Sequence, residues 1–287
     1  MSRAAPVVSF VIPSVRGRRQ LLGRCLTGIA REVRVPSEAL VVVEGPEDAA
    51  PLAQYATDTL EIVPVLRDGG AARRRNAAFE KVRGRLVALL DDDAEPRPGY
   101  GQALEALLAR TDAVLVQGAI WPDFGREPDP ELTPVLFSLG GFNRHGDLAR
   151  PDVSISANWA FSKSVLDAVG PMREDLGPGS TGVPWGDDTE WLDRARSRGL
   201  SVEWGEALSV RHHIQAERIS REAVLARAHR VGRTLAWLEW SEKSPPFAVR
   251  LRQRALAVWA KWKARDLEGE CLAARLRGYA DELAGRG

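Results

Sequence analysis

The sequence predicts an α/β protein, a mostly parallel sheet flanked by helices with a C-terminal α-helical appendage. Three observations predict it. Short β-branched apolar runs alternate with segments of helical spacing, the pattern of a parallel sheet covered by helices. One such run, Leu86-Val87-Ala88-Leu89-Leu90, ends in three consecutive acids, Asp91-Asp92-Asp93. Beyond residue 215 the pattern becomes wholly helical.

Val7-Val8-Ser9-Phe10-Val11-Ile12, stopped by Pro13, reads as a buried strand entering a loop. Leu21 to Val33 has helical spacing. Ala39-Leu40-Val41-Val42-Val43 is a second strand, ending at Glu44-Gly45-Pro46, and Leu60 to Leu66 is a third. Ala71 to Val82 is helical, and Leu86 to Leu90 is the strand that delivers the acids. Leu104 to Ala109 reads as a helix and Ala113 to Ile120 as a further strand. From Trp121 to Pro151 the pattern breaks into a stretch rich in Pro, Gly and charge. Loops of that length in a compact domain are functional or disordered. Order resumes from Ser154 to Phe161, with a short helix at Val165 to Val169 and a turn at Gly177 to Gly182. A helix then runs through Arg198 to Gly199, and a strand is expected near Ser201 to Trp204.

In the last segment Val224, Ala228, Val231, Leu235 and Leu238 recur at steps of four and three, one face of a helix. Pro245-Pro246 interrupts it. Leu251, Ala255, Val258 and Trp262, then Leu272, Leu276, Tyr279 and Leu283, continue the spacing. Two regions follow, 1–215 and 216–287.

A length of 287 residues suffices for a sizeable core, and 44% hydrophobic with 28% charged residues is ordinary for a soluble globular protein. The net charge of +1 argues against a dedicated nucleic-acid binder. It hides an asymmetry: residues 1–215 hold about five excess acids and residues 216–287 about six excess bases. Cys25 and Cys271 form no metal or redox motif, which suits a reduced, cytoplasmic interior. No apolar stretch has the length of a signal-peptide core or a membrane span, so a soluble protein is expected, one able to lie against a membrane.

Adjacent carboxylates at the end of a buried strand repel one another and are costly unless a cation or donor compensates them. Hard oxygen ligands there suit Mg²⁺ or Mn²⁺, and that sheet edge is where open α/β sheets bind ligands. An acidic turn with no ligand is the bland alternative. Arg73-Arg74-Arg75 has a similar one, a solvated helix face.

Several motifs stand in order along residues 7–213. They are Phe10-Val11-Ile12-Pro13-Ser14-Val15, Glu44, Gly70-Ala71-Ala72-Arg73-Arg74-Arg75-Asn76 and Leu90-Asp91-Asp92-Asp93. Ala157-Asn158-Trp159-Ala160-Phe161, Gly170-Pro171-Met172-Arg173-Glu174, Gly186-Asp187-Asp188-Thr189-Glu190 and Val210-Arg211-His212 follow. In this series the chain resembles the inverting family 2 glycosyltransferases of GT-A fold, with a Rossmann-like nucleotide-binding core. It departs from them in lacking Tyr-Asn in the first loop and in having Glu44 for the usual Asp.

The resemblance implies an enzyme moving a sugar from a nucleoside diphosphate sugar, most often UDP-linked, with Mn²⁺ or Mg²⁺ as cofactor. By resemblance Asp93 is the metal ligand and Asp91 shares the metal or faces the ribose, while Asp92 turns into the fold. His212 is the second metal ligand or diphosphate contact, with His213 the alternative. Pro13, Ser14, Glu44 and Arg75 are implied at the nucleotide, with Asn76 supporting the loop and Arg73 and Arg74 left on the surface. Asp188 is the first choice of catalytic base and Asp187 the second; the bland alternative is that both cap the helix that follows. Glu190 orients the loop or meets the acceptor, and Trp185 lines the sugar pocket or packs in the core.

The acceptor (a glycan, lipid, peptide or small metabolite) is unassigned, with Trp121 to Pro151 and the Gly177–Gly182 turn expected to choose it. A non-catalytic nucleotide-sugar-binding subunit is one alternative. A nucleotidyltransferase is another, faintly echoed in Val15-Arg16-Gly17-Arg18-Arg19. The apolar spacing of the last helices suits packing or a homodimer; a basic, Trp-bearing face on anionic lipid is the alternative.

Overall fold

β1 (Val8–Pro13), β2 (Ser37–Val43) and β4 (Leu86–Leu90) are almost entirely buried, which is why they read as uninterrupted apolar runs. The computed structural model describes residues 4–133, 136, 156–183, 185–240 and 243–285. The chain forms two compact units. One comprises Met1–Asp123, Phe142–Glu174 and Asp187–His213; the other comprises Phe124–Gly141, Asp175–Gly186 and Ile214–Gly287.

The first unit is built on an eight-stranded sheet ordered β3-β2-β1-β4-β7-β6-β8-β5. Its remaining strands are β3 (Leu60–Leu66), β5 (Ala94–Pro96), β6 (Leu115–Asp123), β7 (Asn158–Ser162) and β8 (Glu203–His213). Strands β3, β2, β1 and β4 are mutually parallel. Helix α1 (Arg19–Glu32) crosses from β1 to β2, and α3 (Ala71–Phe79) from β3 to β4. A short α2 (Pro46–Ala49) and a 3₁₀ turn (Ala50–Tyr55) lie between β2 and β3. Such crossovers are what parallel pairing requires.

Beyond β4 the pattern changes. Strand β7 runs antiparallel to β4 and β6, and β5 antiparallel to β8, while β6 and β8 are parallel to each other. The sheet is therefore mixed. β5 follows β4 through only a turn at the three acids, yet pairs with β8 at the far edge of the sheet rather than with β4. Strand β8 is longer than the expected Ser201 to Trp204. Its pairing with β6 shifts between Gly118 and Ala119, so Glu206 and its neighbours bulge out of register. The bulge breaks the apolar run that the sequence offers as a strand.

Helices α4 (Tyr100–Leu108), α5 (Lys163–Val169) and α6 (Asp187–Ser197) complete this unit. α6 ends just before Gly199, whose φ of +79° suits the left-handed turn expected there. The core beneath α3, α5 and α6 is aromatic: Trp191 lies 5.5 Å from Trp159 and 5.2 Å from Phe161, centroid to centroid. The segment Trp121 to Pro151 lies largely outside the described residues.

The second unit contains α7 (Arg221–Trp240), α8 (Phe247–Lys263) and α9 (Leu267–Ala284), with Pro246 preceding the first residue of α8. Helix α9 packs against both others. Of the stripe expected on α7, Val224 and Ala228 are buried but Val231, Leu235 and Leu238 are not. Gly232, Thr234 and Ala236 are buried in their place, all small residues. A Cβ at Gly232 would sit 1.8 Å from the Arg275 carbonyl oxygen, and one at Gly278 1.9 Å from that of His229. The two helices meet backbone to backbone, and larger residues are displaced outward: Leu272 is 51% exposed. Leu251, Val258 and Trp262 of α8, expected to pack, also face outward. Among the described residues no helix is long and apolar enough to cross a membrane.

Candidate active site

The three acids occupy the turn between β4 and β5, where the Ala94 N–H donates to the Asp91 carbonyl at 3.0 Å. Asp92 and Asp93 are buried and Asp91 is half-buried, so each carboxylate requires compensation. Each has it. Asp91 accepts from Arg75 Nη2 at 3.0 Å. Asp92 accepts from Arg18 Nη1 at 2.8 Å, from the Ser14 hydroxyl at 2.9 Å and from the Val15 N–H at 3.2 Å. Asp93 accepts from the same Arg18 nitrogen at 3.1 Å and stands 2.8 Å from His212 Nε2. Burial nonetheless pushes the Asp92 carboxyl above its usual range, with Asp93 adding to the rise against the pull of Arg18.

The Asp93–His212 contact spans 119 positions, and the sheet explains it. Ala94 pairs with His212 in the β5–β8 ladder, and the His213 N–H donates to the Asp93 carbonyl at 2.9 Å. One ligating atom each from Asp91, Asp93 and His212 lies within 4.8 Å of the others. His213 instead turns toward Glu95 at 3.1 Å and Asp123 at 3.2 Å.

Arg74, Arg75 and Asn76 are consecutive and all buried on α3. At 3.6 residues per turn they fan over about 200° of the helix and reach three segments. Arg74 donates to the Ser14 carbonyl and, at 2.6 Å, to Glu44 at the end of β2. Arg75 Nη1 donates to Asp187 at 2.6 Å while its Nη2 holds Asp91. Asn76 donates to the Met172 carbonyl and accepts from the Met172 N–H, both at 2.8 Å, clamping the segment after α5. Burial works against the Arg75 charge, but Asp187, Asp91 and Asp188 outweigh it and raise its pKa. Arg74 was expected on the surface; it is buried because Glu44 and Ser14 meet its guanidinium. Arg73 is half-exposed, 4.0 Å from Glu174.

Asp187 and Asp188 open α6 and differ in environment. Asp187 is buried against Arg75. Asp188 meets no side-chain cation of its own among the described residues; it accepts from the Thr189 N–H at 2.8 Å and the Ser156 N–H at 3.4 Å. Burial and the neighbouring Asp187 charge push its pKa up to about 6. Thr189 belongs to the first helical turn, so Asp188 caps in part, whereas Asp187 is committed to Arg75. Glu190 forms a pair with Arg194 at 2.9 Å, and Arg194 holds the Val169 and Pro171 carbonyls.

Ser14, Glu44, Asp92, Asp93 and His212 are thus joined through Arg18 and Arg74, while Arg75 joins Asp91 to Asp187, which Asp188 follows in α6; all lie in the first unit, with Pro13 at the strand end just before Ser14. Trp185 belongs to the second unit, where Arg227 and Arg230 stand over its ring at 4.9 and 5.9 Å. Arg18 and Arg74 are the members that sequence reasoning did not assign to the site. A buried acid in need of a partner was the available signal, but it does not say which arginine answers it. A cleft beside this network is lined by Ser14, Val15, Arg16, Glu44, Pro51 and Tyr55 among others.

A mixed sheet of this order, helix-flanked and bearing its acids at the end of the fourth strand, has the GT-A fold of its structural neighbours. The model of a family described as Glycosyl transferase family 2 matches residues 9–170, and the chain belongs to that family. Over 211 residues it is 25% identical to the glycosyltransferase AglE of Haloferax volcanii, covering 70% of this chain and 65% of that protein. It is 24% identical over 283 residues to the uncharacterized protein y4gI of Sinorhizobium fredii, covering 91% of this chain and 28% of that one. The chain therefore spans less than two thirds of either relative's length. Among solved structures it resembles the mannosyltransferase PcManGT from Pyrobaculum calidifontis in complex with GDP-Man and Mn²⁺. The TM-score is 0.56 at 15% identity, covering 98% of this chain and 75% of that one. S. aureus TarS 1-349 in complex with UDP matches with a TM-score of 0.55 at 13% identity, over 97% of this chain and 90% of that one. At such identities the likeness is one of fold.

Proposed function

We propose that this chain is a metal-dependent, inverting glycosyltransferase that takes its sugar from a nucleoside diphosphate sugar, a UDP-sugar in the first instance. The observation that carries this reading is the convergence of Asp91, Asp93 and His212, with ligating atoms within 4.8 Å of one another. Two carboxylates and an imidazole fit Mn²⁺ or Mg²⁺. When bound, such a cation would neutralise charge on the departing diphosphate. The complexes of fold neighbours with GDP-Man and Mn²⁺, UDP, and UDP-GlcNAc are consistent with it.

The chain's own residues supply the rest. Arg74 fixes Glu44 and the Ser14 carbonyl, giving the nucleoside a rigid edge. Asp92 fixes the loop after β1 through Ser14 and Val15, which explains why a non-ligating acid belongs in the triplet. Arg75 holds Asp91 and Asp187 together, which commits the Asp187 carboxylate to an ion pair. Asp188, with its pKa near 6, is better matched to general-base work close to neutrality. In this reading its carboxylate takes the proton of the acceptor hydroxyl. The acceptor oxygen bonds to the anomeric carbon as the bond to the diphosphate breaks on the opposite face. Residues 1–215 would form the catalytic domain and 216–287 a separate helical region.

The test is release of nucleoside diphosphate from a panel of UDP- and GDP-sugars, with Mn²⁺, with Mg²⁺ and with chelator, followed by product anomer analysis. Release that depends on the metal, with an inverted anomer in the transfer product, is expected. Turnover unaffected by chelation would remove the metal from the mechanism, and a retained anomer would remove Asp188 as base.

A further inference from the structure

We propose that α8 lies in the plane of a membrane and docks the helical unit on an anionic lipid surface. At 100° per residue Phe247, Val258, Leu251, Trp262, Ala255, Ala248 and Trp259 fall, in that order, on one continuous arc of about 120°. The arc is uncovered: Phe247 is 73% exposed, Leu251 58%, Val258 71%, Trp259 55% and Trp262 76%. Leu256, Val249 and buried Ala260 lie on the opposite arc, the side that packs within the unit.

Charge identifies the occupant. Helix α8 carries Arg250, Arg252, Arg254, Lys261 and Lys263 and no acid. On the wheel, Arg250, Lys261 and Arg254 border one edge of the apolar arc, and Arg252 and Lys263 border the other. An indole at the centre (Trp262) and another at one edge (Trp259), with long basic side chains on both rims, match the boundary between headgroups and acyl chains. There the rings bury their faces while the cations remain among lipid phosphates. A second copy of the chain fits poorly, because a twofold contact through this arc would set base-bearing rims beside each other. A helix of 17 residues with five bases does not span a bilayer, so the contact is in-plane.

The test is co-sedimentation of the full chain with vesicles of phosphatidylcholine alone and of phosphatidylcholine with phosphatidylglycerol, at low and moderate salt. Binding to the anionic vesicles, weakened by salt and not competed by inorganic phosphate, is expected. Lys261→Gln with Lys263→Gln should lower partitioning roughly 30-fold, and Trp259→Ser with Trp262→Ser about tenfold or more. All four side chains are exposed, so the unfolding midpoint should stay at the wild-type value. Failure to sediment with either vesicle overturns the proposal. So does a dimer in sedimentation velocity that Trp259→Ser with Trp262→Ser dissolves, since it would give the stripe to a second copy.

Discussion

Arg75 binds Asp187 at 2.6 Å across 112 positions of sequence, and the same guanidinium holds Asp91 at 3.0 Å. One buried cation therefore couples the acidic turn after β4 to the start of α6. Arg75→Met should leave Asp187 buried and uncompensated, a loss of about 3 kcal/mol or more, measured by urea denaturation. Arg75→Lys keeps the charge but cannot reach both carboxylates with a planar fork. It should be intermediate in stability and depressed in transfer. If Arg75→Met is as stable as the wild type, the coupling has no structural weight.

Asp188 should set the acid limb of the pH–rate profile, since with a pKa near 6 it gains its proton as pH falls through that value. Its effect on stability has the opposite sense. The folded pKa lies above the unfolded one, so the native state holds the proton more tightly and stability falls as pH rises from about 4 to about 6. Asp188→Asn removes that loss. It should be more stable than the wild type at neutral pH, by on the order of 1 kcal/mol, with the gain vanishing toward pH 4. Transfer should fall by at least about a hundredfold. Thermal melts across pH, beside initial rates, check both limbs.

Binding of Mn²⁺ to Asp91, Asp93 and His212 should raise the melting temperature of the wild type, because a ligand that binds only the native state stabilises it by mass action. Asp93→Asn and His212→Gln should each reduce or abolish the shift. A shift undiminished in both variants would place the ion elsewhere.

Arg74 touches Glu44 and Ser14 and none of the three acids in the β4–β5 turn. Arg74→Met should accordingly raise KM for the nucleotide sugar more than it lowers kcat, with Mn²⁺ binding unchanged by calorimetry. A pure kcat defect would assign Arg74 to the chemistry instead.

The α7–α9 contact gives a further expectation. Gly232→Ala would force a methyl group against the Arg275 carbonyl oxygen, 1.8 Å from the added Cβ, so the helices must part. A loss of about 1–3 kcal/mol should follow, read from chemical denaturation. Leu235→Ala, on a partly exposed position of the same helix, should cost less than Gly232→Ala.

Strands β1, β2 and β4 were legible in the sequence because burial on both faces makes them uninterrupted apolar runs. Strand β5 was not, since three residues carry no period, and β8 was cut short because its bulge interrupts the apolar pattern. The acids stood out as adjacent carboxylates ending an apolar run, and His212 only through the motif series that it closes. Arg18 and Arg74 could not, because an arginine's charge suggests solvent and only its partner in space reverses that. Periodicity found all three C-terminal helices and some packed positions such as Val224, Ala228 and Leu283, yet misjudged which other members of the stripes pack. It reveals that one face is apolar, but not whether a neighbouring helix covers it. In α7 small residues won the packed side; in α8 the aromatic side stayed bare.

The antiparallel pairing of Ala94 with His212 also has a kinetic consequence. The acidic turn is translated long before β8, and closing so long a loop is slow in a folding chain. The Asp91, Asp93 and His212 cluster cannot exist until that last strand joins the sheet. A nascent or partly folded chain therefore offers a cation two of the three side chains at most. Tight Mn²⁺ uptake should coincide in time with protection of the His213 amide, the one that donates to the Asp93 carbonyl. In refolding followed by hydrogen exchange, metal affinity would then mark completion of the sheet.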